Sequence, residues 1–343
     1  MSADRSPMRW WVPVLAVAVL VVAANAGAAL LQRQERGTRI EPSLRIVRPP
    51  GEVSALVLDG TTLYAGGVDG VWAIDTVSLE VTRPPFTERI EFGHVRGLAL
   101  FEGALWIGDD RGLTRVAGSD VRTFTTADGL PADRVQALTP SGGVLWVGTE
   151  GGAAEVGPGG IKALTTADGL IENMVNAIGV DGTGGVWLGS YVAPSGGVTY
   201  LGTDGARATF TTADGLPHAD VTCVTPMPDG EVWVGLGFND RGGLAVFKTK
   251  GGKPGIIRTE SKADGLPGEK VRSITRLADG TMLISSEYDG LLVRSASGER
   301  ILTVADGLSD DEAKVALQAP DGRVWLGTRN GITLIRDVAA LMR

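Results

Sequence analysis

The stretch TTADGLPADRVQALTPSGGVLWVGTEGGAAEVGPGGIKALTTADGL, Thr125–Leu170, begins and ends on the same six residues. The motif recurs as TTADGLP (Thr125–Pro131), TTADGLI (Thr165–Ile171), TTADGLP (Thr211–Pro217), SKADGLP (Ser261–Pro267) and TVADGLS (Thr303–Ser309). Its aspartates, Asp128, Asp168, Asp214, Asp264 and Asp306, stand 40, 46, 50 and 42 residues apart. A period of this size marks an array of similar supersecondary units. Within one period the chain reads as four short strands, VQALTP, VLWVGT, AAEVG and IKALTT, parted by turn pairs such as Gly-Gly.

A second series runs in phase with the first: ALWIG around Trp106, VLWVG around Trp146, GVWLG around Trp187, EVWVG around Trp233 and RVWLG around Trp325. Tyr64 in TLYAGG and Leu283 in TMLISS hold the same place in two weaker copies, which makes seven units. Four strands in about 40 residues, with no helical period between them, predict an all-β fold, a seven-bladed β-propeller. The Trp supplies apolar surface for the gap between blades, and the Gly two residues later admits a neighbouring backbone. Glycine, 50 of 343 residues, is periodic and interleaved with Val, Leu and Trp, so it belongs to an ordered array.

The last unit has three strands, KVALQA, RVWLGT and GITLIR, before a short helix-like DVAALMR. A closed ring needs a fourth, and the spare extended segment is Arg39–Val47, expected as the outer strand of blade seven. Pro42 is tolerable on an outer edge, where no amide donor is required. The repeat aspartates admit two readings. Calcium takes six to eight oxygens, whereas these carboxylates occur one per unit; an Asp closing a turn ahead of Gly is the simpler account.

The pattern DGLP-x3-V-x2-L, then D-G-x-[VL]-W-[VIL]-G, then G-[LVI] closely resembles the two-component regulator propeller repeat, over Val53–Arg336. The resemblance implies a ligand- or partner-binding propeller, since in that family such rings form the periplasmic sensing part of membrane-bound hybrid histidine kinases, often in carbohydrate sensing. This sequence reaches Arg343 with no kinase in it, so any signal is expected to pass through another protein.

The first 40 residues differ in kind. Trp10–Leu31 carries no charge over 22 residues, at 1.5 Å per residue roughly 33 Å of helix, enough to span a bilayer core. The expected organisation is a tail over 1–9, a transmembrane helix or signal anchor over 10–31, a linker over 32–38 and the propeller over 39–343. A cleaved signal peptide is the rival, because Ala24-Asn25-Ala26 and Ala26-Gly27-Ala28 are small-x-small patterns. Arg5 and Arg9 precede the segment and Arg33, Arg36, Arg39 and Arg45 follow it, a distribution that leans toward a cytoplasmic propeller. Large domains translocate regardless of flanking charge, and the resemblance points outward. An inner-membrane, single-pass protein with a periplasmic or extracellular propeller is therefore expected, its partners the membrane through the N-terminal helix and an envelope protein or a carbohydrate or peptide ligand.

Beyond residue 39 the chain holds 27 basic and 38 acidic residues, a net charge of −11. That argues against nucleic acid, whose phosphates need clustered Lys and Arg. The single cysteine, Cys223 in VTCVT, reads as a small buried hydrophobe.

Catalytic motifs such as G-x-S-x-G, H-E-x-x-H and the P-loop are missing from the sequence. Streptogramin lyases are similar rings that use histidine and a divalent metal, so a propeller lyase or hydrolase of the cell envelope is the alternative. The two histidines, His94 and His218, precede blades two and five, across the ring from one another and too far apart for one metal with ligands at about 2 Å. They read as solvated loop residues, and no cofactor or metal is expected. The loops between second and third strands share a face with the Asp-Gly-Leu connections. That face takes YVAPSGG (Tyr191–Gly197), GFNDRGG (Gly237–Gly243) and SEYDG (Ser286–Gly290) as insertions, and insertions of repeat proteins favour the binding face. The candidate binding residues are Tyr191, Phe238, Asn239, Asp240, Arg241, Glu287 and Tyr288, with His94 and His218 beside them.

Overall fold

The computed structural model describes residues 41–342. The predicted tail (1–9), membrane segment (10–31) and linker (32–38) lie outside them. Among the described residues no helix is long and apolar enough to cross a membrane.

Seven four-stranded antiparallel sheets form the ring. Each of the first six is laid down in chain order from the centre outward, as in blade three with Val135–Ser141, Val144–Thr149, Gly152–Gly157 and Gly160–Leu164. Inner strands of successive blades neighbour one another all round, blade seven's Ala313–Gln318 against blade one's Ala55–Asp59. Blade seven is completed by Leu44–Val47, which pairs with Gly331–Ile335 so that Leu44 faces Ile335 and Val47 faces Ile332. The closing strand is thus shorter than Arg39–Val47, because Pro42 and Ser43 form a turn that delivers the chain to it. The helix-like tail is a single 3-10 turn, Ala339–Met342, with Leu341 buried.

The apolar interior divides into seven clusters, one at each junction between blades. The repeat tryptophan of each blade belongs to the cluster it shares with the next: Trp106 with Val135 and Val147, Trp187 with Val234 and Phe247, Trp325 across the closure with Leu63 and Ile74. Tyr64 and Leu283 do the same in the two weaker copies. The glycine two residues on is required by the same contact. A Cβ on Gly148 would sit 2.6 Å from the Val175 carbonyl oxygen, and one on Gly327 2.6 Å from a Val53 methyl. Gly66, Gly108, Gly189 and Gly235 likewise face Val95, Val135, Val221 and Val271, the valines that lead into or open the next inner strand.

One junction swaps this arrangement. Blade six places Ser285 at the glycine position, and blade seven places Ala313 where the others have valine; both are fully buried. Ser285 Oγ also meets Ser273 Oγ at 2.8 Å. Ala313→Val is therefore expected to cost about 1–3 kcal/mol by overpacking. Combined with Ser285→Gly it should cost much less than the two single changes added together, as read by urea denaturation. Strict additivity would contradict the pairing.

The Asp-Gly-Leu motif divides its labour residue by residue. Asp128 Oδ2 accepts the Thr125 N–H at 2.9 Å, and the same reciprocal cap recurs at Asp168, Asp214, Asp264 and Asp306. Gly129 follows at φ 106°, in the left-handed region that glycine enters without penalty. Leu130, Leu170, Leu216, Leu266 and Leu308 are each at most 5% exposed and plug the turn into the ring. The turn-closing reading of these aspartates is the one observed.

Candidate functional site

Two hollows open on the face that carries the Asp-Gly-Leu turns. The larger, about 600 Å³, is the mouth of the central channel. Alternate residues of a strand face opposite ways, and the residue after each leading valine or alanine turns to the channel. These are Ser54, Arg96, Gln136, Asn176, Thr222, Arg272 and Lys314, a polar collar with one member from every blade. Several tie their blade to the next: the Asn176 amide donates to the Val221 carbonyl at 3.1 Å, and the Thr222 hydroxyl to that of Val271.

Carboxylates stand behind the collar. Glu52 Oε1 lies 2.9 Å from His94 Nε2 and 3.1 Å from Lys314 Nζ, and it accepts the Ser54 hydroxyl at 3.0 Å. The His94 hydrogen bond, with Lys314 and Ser54 adding to it against the cost of burial, holds its carboxyl down at about 2. Asp110 pairs with Arg96 at 2.5 Å and Arg134 at 2.6 Å. Burial pushes its carboxyl up, yet these two guanidinium groups outweigh that and bring it to about 2. Glu312 Oε1 lies 3.4 Å from Lys314 Nζ and 3.5 Å from Arg272 Nε. Cys223 lines the same hollow, and burial pushes its thiol up to about 11, which keeps it protonated and inert at neutral pH.

The smaller hollow, about 540 Å³, lies between the loops of blades four and five and is lined by Ala193, Pro194, His218, Phe238 and Arg241 among others. It gathers four of the predicted residues, Phe238, Asn239, Asp240 and Arg241, with His218. The segment expected as the loop Gly237–Gly243 is in fact a tight hairpin. Strand Glu231–Phe238 turns at Asn239 and Asp240 into strand Arg241–Lys250, with Phe238 facing Arg241. Asn239 takes the left-handed conformation, φ 52°, which Asn tolerates.

Tyr191 and Glu287 meet on a residue the sequence reading passed over. Lys270, 5% exposed, donates to the Tyr191 hydroxyl at 3.1 Å and lies 3.0 and 2.9 Å from the two Glu287 oxygens. Its ammonium is also 5.6 Å from the ring centres of Tyr191 and Phe238. Lys270 therefore joins a wall of the channel mouth, Tyr191, to a wall of the second hollow, Phe238. Tyr288 points outward, 60% exposed.

The two histidines occupy different hollows, and neither is the solvated loop residue expected. Their side chains are only 23% and 18% exposed because each is taken up in hydrogen bonds. His218 Nδ1 accepts the Asp220 N–H at 3.0 Å. His94 meets Ser54 Oγ and Glu52 Oε1 through one nitrogen, Nε2, at 3.0 and 2.9 Å. A Ser-His-acid relay places its two partners on different ring nitrogens, so this trio is a hydrogen-bonded cluster without that geometry. Among the described residues no group of three or more His, Cys, Asp or Glu side chains is placed to hold a metal ion.

No protein-family model and no curated protein matches the chain. Solved structures match across the ring. The extracellular domain of the hybrid two component system BT3049 from B. thetaiotaomicron superposes with a TM-score of 0.73 at 17% identity, over 87% of this chain and 42% of that one. The extracellular domain of BT4673 from the same organism gives 0.66 at 15%, over 87% and 40%. The present chain thus spans about two fifths of the length of these two structures. A catalytically inactive histidine-to-alanine variant of virginiamycin B lyase from Staphylococcus aureus, with quinupristin, gives 0.65 at 11%, over 85% and 98%. At these identities what is shared is the propeller fold.

Proposed function

We propose that the propeller is a non-catalytic recognition module: a sensory or scaffolding ring held at the membrane by residues 10–31, outside the cytoplasm, that acts through a partner bound on the channel-mouth face. Support for the outward placement comes from the extracellular domains among its structural neighbours. The observation that carries the reading is the Lys270 junction. It fixes side chains from blades four, five and six into one preformed surface, and preorganisation lowers the cost of binding. The titratable groups of that face hold one another in place, Glu52 with His94 and Lys314, Asp110 with two arginines, Glu287 with Lys270. A surface built this way recognises shape and polarity.

Affinity capture from crosslinked membranes tests it, comparing wild type with a variant carrying Tyr191→Ala, Phe238→Ala, Arg241→Ala and Tyr288→Ala. The variant should lose the wild-type partner. Phe238→Ala, Arg241→Ala and Tyr288→Ala are exposed substitutions worth under about 0.5 kcal/mol each. Tyr191→Ala, which removes one hydrogen-bond partner of buried Lys270, adds about 1–2 kcal/mol, so the ring should stay folded with a melting temperature a few degrees below wild type. Identical partners for both proteins would remove this face from the account. The lyase-like neighbour supplies the competing reading, and a metal-dependent activity abolished by replacing His94 or His218 would install it instead.

A further inference from the structure

We propose that the channel mouth takes a small organic carboxylate, its apolar body in the throat and its carboxylate on the collar. This rests on the reading of the face as a recognition surface and names the class of ligand. The first observation is which partner of each ion pair lines the hollow. Four cations line the hollow, Arg96, Arg134, Arg272 and Lys314, against one carboxylate, Glu150. With the three carboxylates paired to them the cluster as a whole is neutral, so what sets this hollow apart in a propeller whose chain beyond residue 39 carries −11 is that the cationic partners line it. Glu52, Asp110 and Glu312 stand behind these cations and do not line the hollow; they pin the cationic heads at 2.5 to 3.5 Å. A ligand therefore meets donors whose side chains are already ordered, in a concave site where charge is poorly screened.

The second observation is an unused donor. Arg272 Nε is buried against Glu312 at 3.5 Å, and the terminal amino groups of the same guanidinium, on a side chain that lines the hollow, make no hydrogen bond to any described residue. A guanidinium offers two parallel N–H groups to a carboxylate, and the amides of Gln136 and Asn176 on the same collar add neutral donors. Two residues further along the inner strands, on the collar's side, Leu56, Leu98, Leu138, Ile178 and Val224 line an apolar throat. The volume, about 600 Å³, is that of ordinary small-molecule sites. Phosphate shares the anionic chemistry but would leave the throat empty.

Isothermal titration of the full-length protein with phenylacetate, hexanoate, phenylacetamide and inorganic phosphate tests the assignment. Phenylacetate or hexanoate should bind at least tenfold more tightly than phenylacetamide and than phosphate. Arg272→Gln with Lys314→Gln should weaken the carboxylates at least tenfold, whereas Lys250→Gln, on the hairpin tip of blade five, should not. Because the double variant leaves Glu312 without its partners, a second variant guards against misfolding: Glu150→Gln removes the one lining carboxylate and should tighten carboxylate binding several-fold. Failure of both carboxylates to bind, equal binding of acid and amide, tighter binding of phosphate, or no tightening in Glu150→Gln would each overturn the assignment. Partner capture by the loop surface is read separately, so that reading stands or falls without this one.

Discussion

Replacing Trp187 with alanine is expected to lower folding stability by about 3–5 kcal/mol. The side chain is fully buried, with ring centres of Tyr200 and Phe247 at 4.8 and 5.1 Å. Its indole N–H donates to Asp181 Oδ2 at 2.9 Å. Truncation removes the largest apolar body from the seam between blades four and five, leaves a cavity beside Phe247 and costs Asp181 one of its donors. The seam lies just below the surface described above, since the strand bearing Trp187 runs on through Ser190 to Tyr191. Tyr288→Ala, at an exposed site, should stay within about 0.5 kcal/mol of wild type. Urea denaturation compares them, and a Trp187 loss below about 1.5 kcal/mol would mean that this inter-blade contact does not hold the ring.

The repeat made the ring legible because each copy must solve the same packing problem. Trp146, Gly148 and the leading Val175 are one inter-blade contact written across two units, so their recurrence reports architecture directly. The weaker copies were legible too: Tyr64 and Leu283 occupy the tryptophan's place in their clusters. The closing strand was found by counting, and only its start was misplaced, at Arg39 where the structure has Leu44. Leu44 and Val47 face opposite sides of the strand, into the junctions with blades six and one, whereas Glu41 to Ser43 belong to a turn tied to Asp306 and Leu44.

The site was less legible because it is made by the positions at which the copies differ. The collar residues vary from Ser54 to Lys314 while the valines or alanine beside them barely change. The signal was present: aligning the units on that residue sets Lys270 and Glu52 just before it and Arg272 just after. What the sequence cannot show is that Lys270 draws in Tyr191 from 79 residues away. Loop length misled in the other direction. The segment around Asn239 looked like an insertion, yet it is two strands that extend past their neighbours and pair to their ends.

Closure by the chain's own first strand is the claim on which the rest stands, since an open blade seven would let the junctions, and with them the collar, spread. Leu44 and Val47 are buried at 7% and 6%, and Arg48 Nε donates to the Asn330 carbonyl at 2.9 Å. Without this segment the strand Gly331–Ile335, buried throughout, becomes a free edge. Two buried side chains at about 2 kcal/mol each, with a sheet partner besides, translate to a fall of roughly 10 °C or more in melting temperature at 2–4 °C per kcal/mol. The deciding measurement is the melting temperature of the protein lacking residues 1–48 beside that of the protein lacking residues 1–36. A fall of that size in the first, with the second unchanged from the full chain, is the predicted result; equal melting temperatures for the two would contradict a ring closed by Leu44–Val47.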